Sequence, residues 1–395
     1  MNIILFKNTT ESLEFFSFEL ARYFTEAGHN VFFYNCMDPE DSFRKMQEFI
    51  VLGDTAAFAF NFNGMMNDEC LCRGKEPVFW NESGIPYVNM AVDHPYYYHE
   101  EFAHVPENYR QISIDKGHRE YMRRFFPEIN SEDFLELGGT DLSENRDIPR
   151  IPFKERKYDL VFTGHYVPPD SYEKCISHCE KVVIDFYHGL CRHLISHPDE
   201  TLEYAAENMI KEAFGDRADD EYLKKCFENM IFIDLQVRHY FRGEAVKALC
   251  DAGFEVHVFG SGYEALPLKR PEKLISHGGV DSLKCLEALA QSRAALNVMP
   301  WFKDGGHDRV YNTMLNGALS LSDPSRALRE HFTDRRDILF FDLKHIDEIP
   351  EVYGSVLKDP ELLMEIAGSG NKIARESHSW RSRADAILEI LKNAI

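Results

Sequence analysis

The feature that most restricts the fold of this chain is an alternation of short apolar runs with stretches whose apolar residues recur every three to four positions. "NIILF" opens the sequence, "NTTES" supplies a polar turn, and Phe16, Leu20 and Phe24 form a stripe that Gly28 stops before "VFFYN" begins. A continuous apolar run of this length reads as a buried strand and a stripe at that spacing as one helix face, so the opening is a βαβ unit. Further runs follow at "AAFAFNF" (56–62), "PYVNMAVD" (86–93) and "RQISID" (110–115), each trailed by polar or turn-rich sequence. Such alternation predicts a parallel sheet with helices on both faces.

The pattern then repeats. Residues 138–157 are rich in Gly, Asp, Glu, Pro and Arg without periodicity, which suits a linker. "KYDLVFTGH" (157–165) reads as the first strand of a second sheet, interrupted by a mostly helical insertion over about 170–235 that includes "LEYAAENMIKEAF". Alternation resumes with a helix at 240–251, "EVHVFGSG" (255–262), "HGGV" (277–280), a helix at 282–292 and "AALNVMP" (294–300). A chain of 395 residues is long enough for two cores. We expect an α/β protein of two doubly wound, Rossmann-like domains facing across a cleft. The first spans 1–150, the second 151–378, and a last helix at 379–395 returns toward the first.

Charge narrows the partners. With 44 basic and 66 acidic side chains the formal charge is −22, so nucleic-acid phosphates and anionic lipid repel the chain as a whole. Any phosphate must be held locally. "MNIILFK" has no basic n-region and is too short for a membrane span, which predicts a cytoplasmic protein. Nine cysteines are scattered, and neither "CLC" (70–72) nor "CISHC" (175–179) has the paired spacing of a structural zinc site, so no metal is expected.

One segment is built to receive an anion. In "HDRVYNTMLNGALSLSD" (307–323) Asp308 is a plausible cap, Val310 and Met314 share a face, and Gly317 stops the helix ahead of a buried strand at 318–321. Gly305 and Gly306 lead into the helix N-terminus, where free N–H groups and the positive dipole end favour negative charge, and His307 and Arg309 add side-chain donors. An ordinary αβ unit with surface charges has the same grammar. Ligands of doubly wound sheets bind at the carboxyl ends of the strands, where Gly260, Ser261, Gly262, Gly278 and Gly279 also fall.

The succession "RGEAVKALCDAGFEVHVFGSG", "HGGVDSLKCLEALAQSRAALNVMP", "GGHDRVYNTMLNGALSLSD" and "ESHSWRSRADAIL" resembles the nucleotide-sugar half of GT-B glycosyltransferases, closest to the spore-maturation CgeB-like group among relatives of glycosyltransferase families 1 and 4. The match covers roughly 238–395. It implies transfer of a sugar from a nucleotide-diphosphate sugar, a UDP-sugar first among them, to a protein, glycan or small-molecule acceptor, with no obligatory cofactor or metal. The resemblance places Gly260, Ser261, Gly262 and Gly279 near the donor, Val280 at the nucleobase and the turn Gly306–Arg309 at the diphosphate. Arg242 is a second counter-charge. Many relatives carry two glutamates around this turn, one for the donor sugar and one for the ribose. Here Asp304 and Asn312 stand in their places. On the acceptor side "VDHPYYYHEEF" puts Asp93 and His94 at a strand end, as candidate general bases beside aromatic rings that suit a sugar; a turn fixed by Pro95 with packed tyrosines is the plainer alternative. The resemblance also leaves room for a nucleotide-sugar epimerase, or for a non-catalytic spore-surface or assembly protein that binds nucleotide sugar.

Overall fold

A computed structural model describes residues 1–66, 68–146 and 148–395. The chain divides into two compact units, Met1–Gly138 with His378–Ile395, and Gly139–Ser377. Each is built on a six-stranded, fully parallel sheet.

In the first unit the strands are β1 (Asn2–Lys7), β2 (Asn30–Asn35), β3 (Thr55–Phe60), β4 (Tyr87–Ala91), β5 (Tyr109–Ser113) and β6 (Asp133–Phe134), ordered β2-β1-β3-β4-β5-β6. The apolar runs become strands because central parallel strands are buried on both faces, and every residue of β3 and β4 is buried. The last helix, Trp380–Ala394, belongs to this unit. The Trp380 ring lies 4.8 Å from Phe16 and 6.0 Å from Phe60, and Arg383 Nε donates to the Glu136 carbonyl at 2.6 Å. A side chain at Gly138 would overlap the Trp380 backbone, at 2.9 Å.

In the second unit the strands are β7 (Tyr158–Thr163), β8 (Val256–Phe259), β9 (Leu274–Ser276), β10 (Ser292–Asn297), β11 (Leu319–Ser322) and β12 (Leu339–Phe340), ordered β12-β11-β10-β7-β8-β9. This is the Rossmann order, and its direction reverses between β7 and β10. The insertion after β7 holds helices Lys181–Ser196, Leu202–Phe214 and Asp220–Phe227, and the helix expected at 240–251 runs from Ile231 to Asp251. "HGGV" is a loop; the strand precedes it at β9.

The expected linker is not loose. Thr140 N–H donates to Asn312 Oδ1 at 2.8 Å, Asn316 Nδ2 donates to the Thr140 carbonyl at 2.8 Å, and Leu142 N–H donates to Asn316 Oδ1 at 3.1 Å. Arg156 then donates to the carbonyls of Ser292 and Gly317, each at 2.7 Å. Polar sequence without periodicity reads as solvated chain because its partners, the Asn312 and Asn316 side chains and the carbonyls of Ser292 and Gly317, are distant in sequence. The unit boundary accordingly falls after Gly138 rather than at 150.

Candidate functional site

The polar side chains of the second unit converge where its strand order reverses. The helix Asp308–Leu315 follows β10 and carries Arg309 into this point. Arg309 is not solvent-facing as its sequence context suggested; it is 8% exposed. One guanidinium nitrogen donates to Asn297 Oδ1 at 2.8 Å, at the end of β10, and the group lies 5.1 Å from the centre of the Phe162 ring in β7. Asn297 Nδ2 in turn donates to Ser322 Oγ at 2.8 Å across the β10–β11 pair. The fork is thus aimed by the sheet itself.

Arg242 reaches the same region from the long helix Ile231–Asp251. It donates to the His165 carbonyl at 3.2 Å, lies 5.2 Å from the Trp301 ring centre, and its Nε is buried with no described partner. Four residues earlier on that helix Arg238 sits 3.9 Å over the Trp301 ring and pairs with Asp234 at 2.9 Å. Burial, with Arg309 and Arg238 as like charges, pulls the Arg242 pKa down to about 9. Burial lowers that of Arg309 as well. Two buried cations that repel one another favour an anion between them.

His307 does not supply a third charge. Burial and Arg309 push its pKa down to about 4, so the ring is neutral. Its Nδ1 lies 2.7 Å from Asp308 Oδ1 and 3.1 Å from the Arg309 amide nitrogen, and one atom cannot donate to the first and accept from the second. The shorter approach, to an ionised carboxylate, favours the proton on Nδ1. Burial alone would raise the Asp308 pKa, but His307 and Arg309 outweigh it and hold it below the usual value. His307 therefore orders the helix start instead of meeting ligand as a cation.

The glycines serve packing first. A Cβ at Gly260 would fall 1.9 Å from the Gly164 carbonyl oxygen, and one at Gly262, whose φ is +91°, would fall 1.9 Å from that of Tyr166. They let the loops after β7 and β8 touch backbone to backbone, which the reading of glycines as ligand space did not foresee. Ser261 Oγ lies 3.0 Å from His165 Nδ1, and Gly279 is exposed 3.8 Å from His165 Cε1 measured from its would-be Cβ. Val280 is half-buried in the loop that follows, and Gly306 is buried.

The two positions that depart from the family glutamates are engaged elsewhere. Asn312 accepts from Thr140 N–H and donates to Asp308 Oδ2 at 3.0 Å, and Asp304 pairs with Arg326 at 3.3 Å. Asn312 clamps Thr140, at the start of the 140–142 segment.

In the first unit Asp93 accepts from the Tyr98 hydroxyl at 3.0 Å, and His94 Nδ1 accepts from Tyr96 N–H at 3.3 Å as the cap of the turn Pro95–Tyr98. The His94 ring lies 4.1 Å from Tyr96 and 4.5 Å from His118, and Tyr96 is buried. The packed-turn alternative describes these contacts better than an open aromatic surface does.

Sequence reading missed Arg238, Trp301, Asn297 and Phe162. The i, i+4 spacing of Arg238 and Arg242 on one helix was a usable signal. Asn297 and Phe162 carried none, because a strand-end residue shows its partners only once the strands are ordered.

Residues 238–389 match the family described as glycosyl transferase-like. Among curated proteins, none matches the chain in sequence. Solved structures similar to it include sucrose-phosphate synthase of Thermosynechococcus elongatus (8% identity, 100% of this chain and 98% of that one, TM-score 0.54) and Anabaena HepE in complex with UDP (10%, 100% of each, 0.53). An α-glucosyltransferase bound to UDP and DNA is also similar (12% identity, 100% of this chain and 99% of that one, TM-score 0.55). The chain therefore carries a glycosyl transferase-like domain over 238–389 and has the two-Rossmann fold of GT-B glycosyltransferases.

Proposed function

We propose that the protein is a glycosyltransferase whose second unit binds a nucleoside-diphosphate sugar, with a UDP-sugar as the first donor to test. The observation that carries this reading is the pair of buried arginines at the sheet reversal, Arg242 with an unpartnered Nε and Arg309 aimed by Asn297. UDP in the similar HepE and α-glucosyltransferase structures supports the choice of donor.

In such a reaction the anomeric carbon–oxygen bond breaks, its electron pair passes to the diphosphate oxygen, and the acceptor oxygen forms the new bond as its proton leaves. Negative charge grows on the diphosphate. Donors fixed beforehand stabilise that state more than the ground state. Arg309 offers a planar fork held by Asn297 and the Phe162 face, and Arg242 a cation made more potent by its dry surroundings. Because two cations already counter the diphosphate, we propose that turnover does not need a divalent metal.

The experiment is a panel of nucleotide sugars incubated with the protein, followed for released nucleoside diphosphate and for sugar transfer. Donor hydrolysis or transfer supports the proposal. Sugar interconversion without release would indicate an epimerase, and binding without turnover a non-catalytic protein.

A further inference from the structure

We propose that the Tyr263 hydroxyl is a hydrogen-bond donor to the diphosphate of the bound nucleotide sugar, an assignment that rests on the donor reading above. Tyr263 follows Gly262, whose left-handed φ of +91° turns the chain after β8 into the short 3-10 turn Tyr263–Ala265. Its ring is 1% exposed, edge-on to Phe162 at 6.1 Å and stacked on Tyr166 at 5.5 Å. Phe162 is the same ring over which the Arg309 guanidinium lies.

Packing accounts for the ring and leaves the oxygen unexplained. Tyr263 Oη is buried with no described hydrogen-bond partner, and Arg242 Nε is in the same condition. A buried polar group left unpaired is costly, and phenylalanine would fill the space without that cost. The charges acting on the phenol are those of Arg242 and Arg309. A guanidinium has only donors, so neither arginine can take the phenolic proton. The group that satisfies Tyr263 Oη and Arg242 Nε together must be an acceptor, and beside two cations an anionic oxygen is the acceptor of choice. Tyr263 thereby adds a neutral donor to a site otherwise made of charges, and its hydroxyl bond strengthens as charge builds on the leaving diphosphate.

The test is Tyr263→Phe, with UDP and uridine titrated calorimetrically against wild type and variant and the thermal midpoint of each free protein recorded. We expect UDP to bind about tenfold or more weakly to the variant, in keeping with a lost hydrogen bond to a charged group. Uridine should bind equally to both, and the midpoint of the free variant should equal or exceed that of wild type. UDP affinity unchanged within about twofold would overturn the assignment, as would a lowered midpoint with unchanged UDP binding, which would make the hydroxyl part of the fold. If wild type binds neither UDP nor uridine, the donor reading itself falls. If wild type binds UDP and the variant binds it equally, only the Tyr263 assignment falls.

Discussion

Arg242→Met should make the free protein more stable and shrink the stabilisation it gains from UDP. The arginine pKa is pulled from its ordinary range down to about 9, which corresponds to about 5 kcal/mol of unfavourable charge burial and repulsion. For a base whose folded pKa is depressed, the unfolded chain binds the proton more tightly, so the full penalty applies below about pH 9 and fades only as pH rises from there toward the ordinary arginine range. Methionine keeps much of the stem's volume but loses the hydrogen bond to the His165 carbonyl, a bond to a charged donor contributing about 1.5–3 kcal/mol. The difference leaves a net gain of about 2 kcal/mol, or about 4–8 °C in thermal midpoint for a unit of this size. UDP affinity should fall about 30-fold, the equivalent of about 2 kcal/mol. At a UDP concentration of about 100 times the wild-type Kd, ligand stabilises wild type by about 2.7 kcal/mol and the variant by about 0.9 kcal/mol, so the variant's lead of about 2 kcal/mol shrinks to near zero and the two midpoints converge. The assay is a thermal melt of both proteins with and without UDP. A variant that melts below wild type in the free state yet shows the full UDP-induced shift would refute the reasoning, because Arg242 would then be a structural residue whose charge meets no ligand.

Asn297→Asp should convert the brace on Arg309 into an ion pair, leaving the melting temperature near wild type while UDP affinity drops about tenfold or more and uridine affinity does not change; calorimetric titration checks this. Gly260→Ala should destabilise the second unit by about 2–3 kcal/mol in chemical denaturation, because its methyl group meets the Gly164 carbonyl at 1.9 Å and backbone cannot yield as a side chain does. Burial raises the Asp323 pKa to about 7, so the folded protein holds the proton more tightly and ionisation removes stability as pH rises from the ordinary 3.8 through that value. Asp323→Asn should thus gain about 2–3 kcal/mol relative to wild type between about pH 5 and pH 8, measured as the difference in denaturation free energy at the two pH values. His307 works in the opposite sense, since its neutral state stabilises the fold fully above pH 6.5 and loses that contribution as pH falls toward about 4, so wild type itself should weaken on mild acidification below 6.5.

The sequence by itself determined the elements. Runs such as "AAFAFNF" and "AALNVMP" are apolar on both sides of the strand, and a chain with such runs between helical stripes has few foldings other than parallel sheets with helices on both faces. It also determined that Arg309 begins a helix after a strand, and the motif order around it pointed to a nucleotide-sugar site. Tertiary structure decided what the site residues do. Which strands adjoin the reversal between β7 and β10 is a matter of sheet order, and only that order sets Asn297 and Phe162 against Arg309. Burial was equally hidden: His307 could be counted as a cation until its pocket was known, and desolvation there holds it neutral. Gly260 and Gly262 were legible as places where something comes close, but not that the close object is the loop after β7. Asn312, aligned with a ribose contact, proved to be a clamp on Thr140, because hydrogen-bond partners far apart in sequence meet only when the chain between them has folded.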